Sequence, residues 1–235
     1  MGYLKRLFLQ TGLANNAEIL NTLEPRPGGR LLDCGCGNGE FTARVARRAQ
    51  VSESYGIECV DQRIEEASER GIIVTKADLN EPFPYQDSFF DIVHANQIIE
   101  HLINTDLFLR EIKRVLRPDG YAILSTNNLA SWHNVFSLAL GMQPMSMHVS
   151  NEALVGNVFD PRRGERHPFE GDAHLRILSH RAMRELCLYH GFEIDGLKTA
   201  GYYPLPPGLA RLACKIDSVH GVYLIAKVRL RHNGL

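Results

Sequence analysis

The sequence has no excess of basic charge. Its 235 residues include 26 lysines and arginines against 27 aspartates and glutamates, for a formal net charge of −1. Proteins that bind nucleic acid non-specifically carry a basic excess, so this balance argues against a nucleic-acid partner. No stretch approaches the run of about 20 apolar residues that a membrane-spanning helix needs, and no signal-peptide pattern is present. We therefore expect no stable membrane insertion and a cytoplasmic location.

Cysteine is also scarce. The chain has five cysteines, an odd number without a repeating spacing, which does not fit a disulfide framework. Cys34 and Cys36 form a lone C-x-C pair, and no second pair follows to complete a zinc site. We expect reduced thiols. One later segment has the side-chain types of metal ligands without a defined ligand set, and we predict no metal there. Its members are Glu165, His167, Glu170, Asp172 and His174.

What the sequence does contain is a regular alternation of apolar strands with amphipathic helices of about ten residues. This alternation predicts an α/β fold with a doubly wound, mainly parallel seven-stranded sheet, in which the last strand is antiparallel. The predicted strands are 30–35, 54–60, 72–78, 89–96, 121–127, 192–200 and 222–230, and the predicted helices are 40–49, 61–71, 107–120 and 181–191.

Two segments fall outside this alternation. Residues 1–25 are interpreted as an N-terminal helical segment, and residues 128–178 as an insert after the fifth strand. Long insertions at a strand end in this architecture commonly carry function, so we interpret the insert as a substrate cover. We expect both segments to belong to one domain that spans residues 1–235.

The first crossover has a distinctive glycine spacing. "LLDCGCGNGE", residues 31–40, places glycines at positions 35, 37 and 39 after an apolar strand that ends near Asp33. The G-x-G-x-x-G spacing of dinucleotide sites is absent, because its third glycine would fall on Glu40 or Thr42. An acid beside such a loop repels a pyrophosphate but suits an ammonium group. The loop therefore favours a ligand with an amino group over a nicotinamide dinucleotide.

Acidic residues also end the next two strands. A carboxylate at Glu58 can accept hydrogen bonds from a ribose diol, the usual role of an acid at this position. Asp78 can hold an adenine amine while Leu79 supplies an apolar wall. Because the carboxyl ends of parallel strands meet at one edge of the sheet, these acids predict a pocket for an adenosine that carries an amino-acid tail.

Five segments in order resemble the class I S-adenosylmethionine-dependent methyltransferases over nearly the whole chain. They are "LLDCGCGNGEFT", "YGIECV", "KADLNEPFPYQDSFFDIVHANQIIEHL", "FLREIKRVLRPDG" and "YAILSTNN". The resemblance implies a Rossmann-like fold, S-adenosylmethionine as the cofactor and a set of binding residues. The implied set is Asp33, Gly35, Gly37 and Gly39 for the methionine part, Glu58 for the ribose, Asp78 and Leu79 for the adenine, Ala95 and Asn96 beneath the cofactor, and Cys36 and Cys59 within the same motifs.

We predict methyl transfer to a small-molecule acceptor, by preference to a hydroxyl group. A hydroxyl acceptor profits from a general base, for which His174 is the first candidate and His101 the second. His94 lies inside a strand, where we expect a core residue. Two alternatives stay open: methylation of a glycan or lipid-linked sugar intermediate, and a non-catalytic module that binds S-adenosylmethionine. No oligomeric state is predicted.

Overall fold

The computed structural model describes residues 2–167 and 173–231. Its centre is a seven-stranded sheet in the order β3-β2-β1-β4-β5-β7-β6, in which β7 runs antiparallel to both of its neighbours and the other pairs are parallel. The predicted α/β fold with its doubly wound sheet and antiparallel last strand is confirmed. The strands are β1 Arg30–Cys34, β2 Glu53–Glu58, β3 Ile73–Lys76, β4 Phe90–Asn96, β5 Leu116–Asn127, β6 Phe192–Ala200 and β7 Tyr223–Leu230.

Seven α-helices and one 3-10 turn connect these strands in the described ranges. They are α1 Tyr3–Thr22, α2 Glu40–Ala49, α3 Asp61–Glu69, the 3-10 turn Ile99–His101, α4 Thr105–Val115, α5 Trp132–Ala139, α6 His180–Tyr189 and α7 Pro207–Ile216.

Helix α4 ends earlier than the predicted 107–120 segment. The chain enters β5 at Leu116, which pairs with Phe90, and the pairing then shifts before Ile92 meets Tyr121. Pro118 lies in this irregular stretch, where the strand can tolerate a residue without a backbone N–H donor. Pro118 and Gly120, at the end of the predicted helix, therefore lie in the first part of a strand.

Helix α7 was not predicted, because the prolines at its N-terminus are typical of a turn. Pro206 and Pro207 stand at its N-terminus, where a missing N–H costs nothing and the fixed φ of proline suits the first helical turn. The helix lies between β6 and β7 in the chain, although these strands are antiparallel neighbours in the sheet.

Alternate residues of the strands build a separate core on each face of the sheet. Leu31 of β1 packs with Ile19 of α1 and Val45 of α2 on one face. The adjacent Leu32 packs with Ile112 of α4 and Met183 of α6 on the other. This alternation buries β1 on both faces, as a central parallel strand requires.

The strand order reverses between β1 and β4, which places the end of β1 at the position where doubly wound sheets bind ligands. There the Asp33 carboxylate is buried, accepting a hydrogen bond from the Thr42 hydroxyl at 2.5 Å and contacting His94 Nδ1 at 2.7 Å. His94 is thus a core residue bonded through one nitrogen, while its Nε2 has no hydrogen-bond partner among the described residues. This triad ties β1, α2 and β4 together.

Within residues 2–167 and 173–231, no helix combines the length and the hydropathy that crossing a bilayer requires.

Replacing Thr42 with valine tests the triad. Thr42→Val keeps the side-chain shape but leaves an oxygen of the buried Asp33 carboxylate without its hydroxyl donor, so we expect the free energy of unfolding to fall by about 1–3 kcal/mol. Denaturant titration measures the change. The matched control is Thr22→Val, whose hydroxyl bonds to a carbonyl within α1 and whose loss we expect to cost about 0.5 kcal/mol or less. Equal stability of both variants would contradict the structural role of the triad.

Candidate active site

A cavity of about 640 Å³ opens at the carboxyl ends of β1, β2 and β4. Its size fits a cofactor and a small second ligand together. One part is formed by the strand ends and the loops after them, and the rest by α1, the 128–178 insert and the start of β7. The lining residues are Phe8, Gly35, Ile57, Glu58, Cys59, Val60, Arg63, Ala77, Asp78, Leu79, Asn80, Gln97, Ile98, His101, Leu102, Asn127, His133, Met145, Ser146, His148, Arg162, His174, Val222 and Tyr223.

The three glycines after β1 all have positive φ, but their surroundings differ. A Cβ on Gly35 would lie 2.1 Å from Ile98 Cδ1, and one on Gly39 would lie 2.5 Å from Ile72 Cδ1. A Cβ on Gly37 would meet nothing within 4 Å. Of the three, Gly35 lines the cavity. Close packing of the protein therefore accounts for Gly35 and Gly39, and left-handed backbone geometry accounts for all three.

Glu58 organises the rim of the cavity. Its Oε2 accepts a hydrogen bond from Gly37 N at 3.0 Å, and its Oε1 accepts from Cys59 N at 2.8 Å and Val60 N at 3.1 Å. The residue is 6% exposed and lines the cavity. A carboxylate oxygen has two acceptor positions, so Oε2 can still accept a hydroxyl hydrogen bond from a ligand while it holds the glycine loop.

Asp78 and Leu79 follow β3 on the same rim. Asp78 Oδ1 accepts hydrogen bonds from the backbone and side-chain nitrogens of Asn80 at 2.8 and 2.9 Å. Asn80 Oδ1 in turn accepts from the backbone of Ile103 at 2.8 Å. This chain of bonds connects the third-strand acid to the segment before α4.

Seven of the predicted site residues line the cavity: Gly35, Glu58, Cys59, Asp78, Leu79, His101 and His174. Six do not: Asp33, Cys36, Gly37, Gly39, Ala95 and Asn96. Asp33 is enclosed in the triad with Thr42 and His94, and Ala95 lies in the sheet core. Asn96 Oδ1 accepts from Asn15 Nδ2 at 2.9 Å, so its side chain holds α1 against β4. The ligand contacts of these residues stay predictions.

Cys36 fills a space that another glycine leaves open. A Cβ on Gly56 of β2 would lie 2.4 Å from Cys36 Sγ. The thiol is buried, and burial raises the pKa of Cys36 to about 12, with the Asp33 and Glu58 charges acting in the same direction. The thiol is therefore protonated at neutral pH and packs as a small apolar group.

The covering side of the cavity includes residues that the sequence did not indicate. Phe8 of α1 lies beneath Arg162, whose guanidinium carbon is 4.4 Å from the ring centroid. Arg162 is half-buried, pairs with Asp160 at 3.3 Å and lines the cavity. No sequence periodicity connects positions 8 and 162, because only the folded chain brings them together.

Four histidines form a row of ring contacts from the insert to the 3-10 turn. The ring centroids are 4.7 Å apart for His167 and His148, 4.2 Å for His148 and His174, and 4.9 Å for His174 and His101. His174 Nδ1 donates to the carbonyl of Ser146 at 2.8 Å, and His101 Nδ1 contacts the carbonyl of Ala173 at 3.3 Å. With Nδ1 carrying the hydrogen, Nε2 of His174 is an acceptor.

Burial determines the protonation state of His174. It lowers the pKa of His174 to about 3, with the neighbouring His148 and His101 imidazoles acting in the same direction. Burial likewise lowers the pKa of His133 to about 4. Glu100, fully buried, receives hydrogen bonds from Thr126 Oγ1 at 2.8 Å and Asn127 Nδ2 at 3.1 Å, and burial raises its pKa. His174 is therefore neutral at physiological pH, with Nε2 as a hydrogen-bond acceptor, and burial makes it a weaker base than a free imidazole.

A potential cation-binding group also exists here. One ligand atom each from Glu100, His101 and His174 lie within 4.8 Å of one another. One carboxylate and two imidazoles are ligand types that first-row transition metals accept. Of the segment that we considered for a metal in the sequence, Glu170 and Asp172 lie outside the described residues. The prediction that the site uses no metal stays a prediction.

The cavity fits an adenosine with an amino-acid tail. Glu58 and Asp78 supply acceptors at neighbouring strand ends, and the bare backbone of Gly35 borders the same space. Ile57, Leu79 and Ile98 add apolar surface for a base. At the glycine loop the Gly37 N–H is bonded to the Glu58 carboxylate, an acid that would repel a phosphate.

The depressed pKa of His174 makes stability pH-dependent. The unfolded chain takes up a proton on this imidazole near pH 6.5, whereas the folded chain does so only near pH 3. Stability from this group is therefore lost as pH falls below about 6.5, by about 1.4 kcal/mol between about pH 7.5 and about pH 5.5. Denaturant titrations of wild type and His174→Gln measure the difference, and the variant is expected to lose less stability on acidification. Parallel pH curves for the two proteins would contradict a buried neutral His174.

Comparisons with known proteins agree with this geometry. A family profile described as "Methyltransferase domain" matches residues 32–124. The 27-O-demethylrifamycin SV methyltransferase of Amycolatopsis mediterranei is 37% identical over 44% of this chain and 40% of its own length. The ubiquinone biosynthesis O-methyltransferase of Azorhizobium caulinodans is 28% identical over 61% of this chain and 68% of its own length.

A solved S-adenosylmethionine dependent methyltransferase from Mesorhizobium loti shares the fold, with a TM-score of 0.61, 18% identity, and coverage of 93% of this chain and 99% of that chain. The chain spans between 39% and 51% of the length of the first four relatives that it matches. The family profile, the relatives and the fold agree with the strand-end acids and the glycine loop. Residues 32–124 match a methyltransferase domain, and the resemblance of the chain to the class I S-adenosylmethionine-dependent methyltransferases is confirmed.

Proposed function

We propose that this protein transfers a methyl group from S-adenosylmethionine to a hydroxyl group of a small-molecule acceptor. The family and the fold imply this cofactor, which supplies a methyl group on a positively charged sulfur when bound. The observation that carries the proposal is that the neutral imidazole of His174 lines the same cavity as Glu58 and Asp78. The acids expected to bind the cofactor and a group that can accept a proton therefore line the same cavity.

Different residues of the chain bind the cofactor and accept the proton. Glu58 and Asp78 orient the nucleoside through its hydroxyls and amine, and the covering segments exclude water from the reacting groups. His174 Nε2 accepts the proton of the acceptor hydroxyl as the oxygen gains the methyl group. The carbonyl of Ser146 fixes the His174 ring through Nδ1, so the accepting nitrogen is held in one orientation. The low pKa of His174 means that it acts as a short-lived proton acceptor and then releases the proton.

The acceptor end of the cavity favours an aromatic or polyketide-like molecule. Phe8, Met145 and Tyr223 provide apolar and aromatic surface, and Arg162 provides one cation. The names of two relatives, a 27-O-demethylrifamycin SV methyltransferase and a ubiquinone biosynthesis O-methyltransferase, describe methylation of oxygen by those proteins. These features support oxygen as the acceptor atom and a largely apolar substrate.

Glu58→Gln tests the binding of the cofactor. The amide cannot replace the carboxylate as an acceptor for both the Gly37 N–H and a ribose hydroxyl, so we expect affinity for S-adenosylmethionine to fall by about 1.5–3 kcal/mol, or roughly 10- to 150-fold. Titration calorimetry measures it. Glu53→Gln, at the opposite end of β2, is the matched control and should leave the affinity unchanged. Wild-type affinity in Glu58→Gln would refute the assigned role.

His174→Gln tests the proton acceptor. With a radiolabelled methyl donor and a panel of phenols, enols and sugar alcohols, we expect methylation of an aromatic or enolic hydroxyl, with kcat lower by about 10²–10⁴ in the variant. Affinity for S-adenosylmethionine should stay unchanged, which separates this variant from Glu58→Gln.

Three outcomes would contradict this proposal. Cofactor binding without turnover of any acceptor would support the non-catalytic module, and turnover of sugar alcohols alone would support the glycan alternative. Loss of wild-type activity in EDTA with recovery on addition of a divalent cation would assign the activation of the hydroxyl to a metal held by Glu100, His101 and His174.

A further inference from the structure

Helix α7 presents an apolar stripe to solvent. Leu209, Leu212 and Ile216 follow one another at spacings of three and four residues, and Leu212 and Ile216 are 54% and 80% exposed. The opposite side of the helix packs on the protein through the buried Ala210, and Cys214 Sγ contacts the carbonyl of Gly201. The helix is therefore anchored by one side while its most apolar side has no cover in the chain that the structure describes.

The charges on α7 have a single sign. Arg211 and Lys215 are exposed and stand one turn apart beside the apolar stripe, and the helix contains no acidic residue. Asp217, which follows the helix, is engaged with its neighbours: it accepts from Trp132 Nε1 at 2.8 Å and from the Tyr202 hydroxyl at 2.5 Å. The solvent side of α7 is thus apolar with a cationic border.

Helix α5 of the insert has a second apolar stripe. Trp132, Val135 and Phe136 are exposed at spacings of three and four residues, and the ring of Phe159 lies 6.5 Å from that of Phe136. The sequence from Gly120 to Asn151 contains no Asp, Glu, Lys or Arg. A charge-free segment with large exposed apolar side chains is unusual for a surface that stays in water.

Trp132 joins the two stripes. Its ring lies 4.6 Å from that of His220, its backbone N–H donates to the His220 carbonyl, and its indole nitrogen donates to Asp217 at the end of α7. The start of α5 therefore lies beside the end of α7. We name the combined surface the α5–α7 face; its residues are Trp132, Val135, Phe136, Phe159, Leu209, Leu212 and Ile216.

We propose that the α5–α7 face docks on the surface of a lipid bilayer that contains anionic lipids. Apolar side chains on short amphipathic helices enter the boundary between headgroups and acyl chains, and a bordering tryptophan is typical of that depth. Arg211 and Lys215 complement the negative headgroups, each contributing about fivefold to binding. The cationic border favours an anionic bilayer over a second copy of this chain, whose matching face would carry the same charges.

The docking face and the cavity share a helix. Trp132 and Phe136 point outward from α5, while His133 of the same helix lines the cavity and is largely buried. Docking would therefore bring the covering side of the cavity next to the lipid, where an apolar acceptor dissolves. The surface does not depend on methyl transfer, because its binding to lipid is measured without cofactor or acceptor.

Vesicle flotation of the purified full chain tests the proposal. We expect binding to phosphatidylcholine vesicles that contain about 30% phosphatidylglycerol, and weaker binding at high salt. Leu212→Gln/Ile216→Gln should weaken binding at least tenfold, through loss of inserted apolar surface. Arg211→Gln/Lys215→Gln should weaken it about 25-fold on the anionic vesicles and change little on pure phosphatidylcholine.

Tyr189→Gln is the matched control. Tyr189 is 83% exposed on α6, which packs on the opposite face of the sheet from α1, so its replacement should leave vesicle binding unchanged. Thermal unfolding of each variant checks that it folds. Absence of wild-type binding, or equal binding of wild type and Leu212→Gln/Ile216→Gln, would overturn the proposal. A dimer in light scattering that this double variant disrupts, without vesicle binding, would assign the face to a second copy.

Discussion

A buried carboxylate holds together the strand end on which the candidate site is built. Asp33 is 3% exposed, yet it is surrounded by partners, with the Thr42 hydroxyl on one oxygen and His94 Nδ1 on the other. A buried charge is stable only when its partners remain in place, so this triad couples β1, α2 and β4. The glycine loop begins one residue beyond Cys34, and its left-handed backbone depends on that fixed starting point. Glu58 then secures the loop from the neighbouring strand through the Gly37 N–H.

The cavity combines two parts with separate origins. The cofactor-type rim comes from strand ends, whose positions the sheet determines. The acceptor part comes from α1 and the insert, which polar contacts connect to the sheet. Asn15 of α1 bonds to Asn96 and Ser125. Asn128, at the start of the insert, donates to the carbonyls of Val219 and Gly221. Because the second part is attached to the first rather than continuous with it, the covering segments can differ between relatives while the rim stays the same. This division agrees with the family profile, which ends at residue 124, before the insert.

The parts predicted correctly from the sequence are those that local patterns determine. Strand β6 and helix α2 have the predicted bounds, because apolar periodicity and a terminal glycine mark them. Glu58 and Asp78 were found because a strand end has a defined place in a doubly wound sheet. Phe8 and Arg162 could not be found this way, since they meet only through tertiary packing. The sequence does not distinguish a polar side chain that contacts a ligand from one that connects two secondary-structure elements. In the structure, Asp33 bonds to Thr42 of α2, and Asn96 bonds to Asn15 of α1.

The fit between Gly56 and Cys36 has an evolutionary consequence. The sulfur occupies the volume that any side chain at position 56 would need, with only 2.4 Å between Sγ and an added Cβ. A larger residue on β2 is admissible only after the thiol has been replaced by something smaller. The two positions are therefore expected to change in a fixed order along a lineage, the loop residue first and the strand residue second.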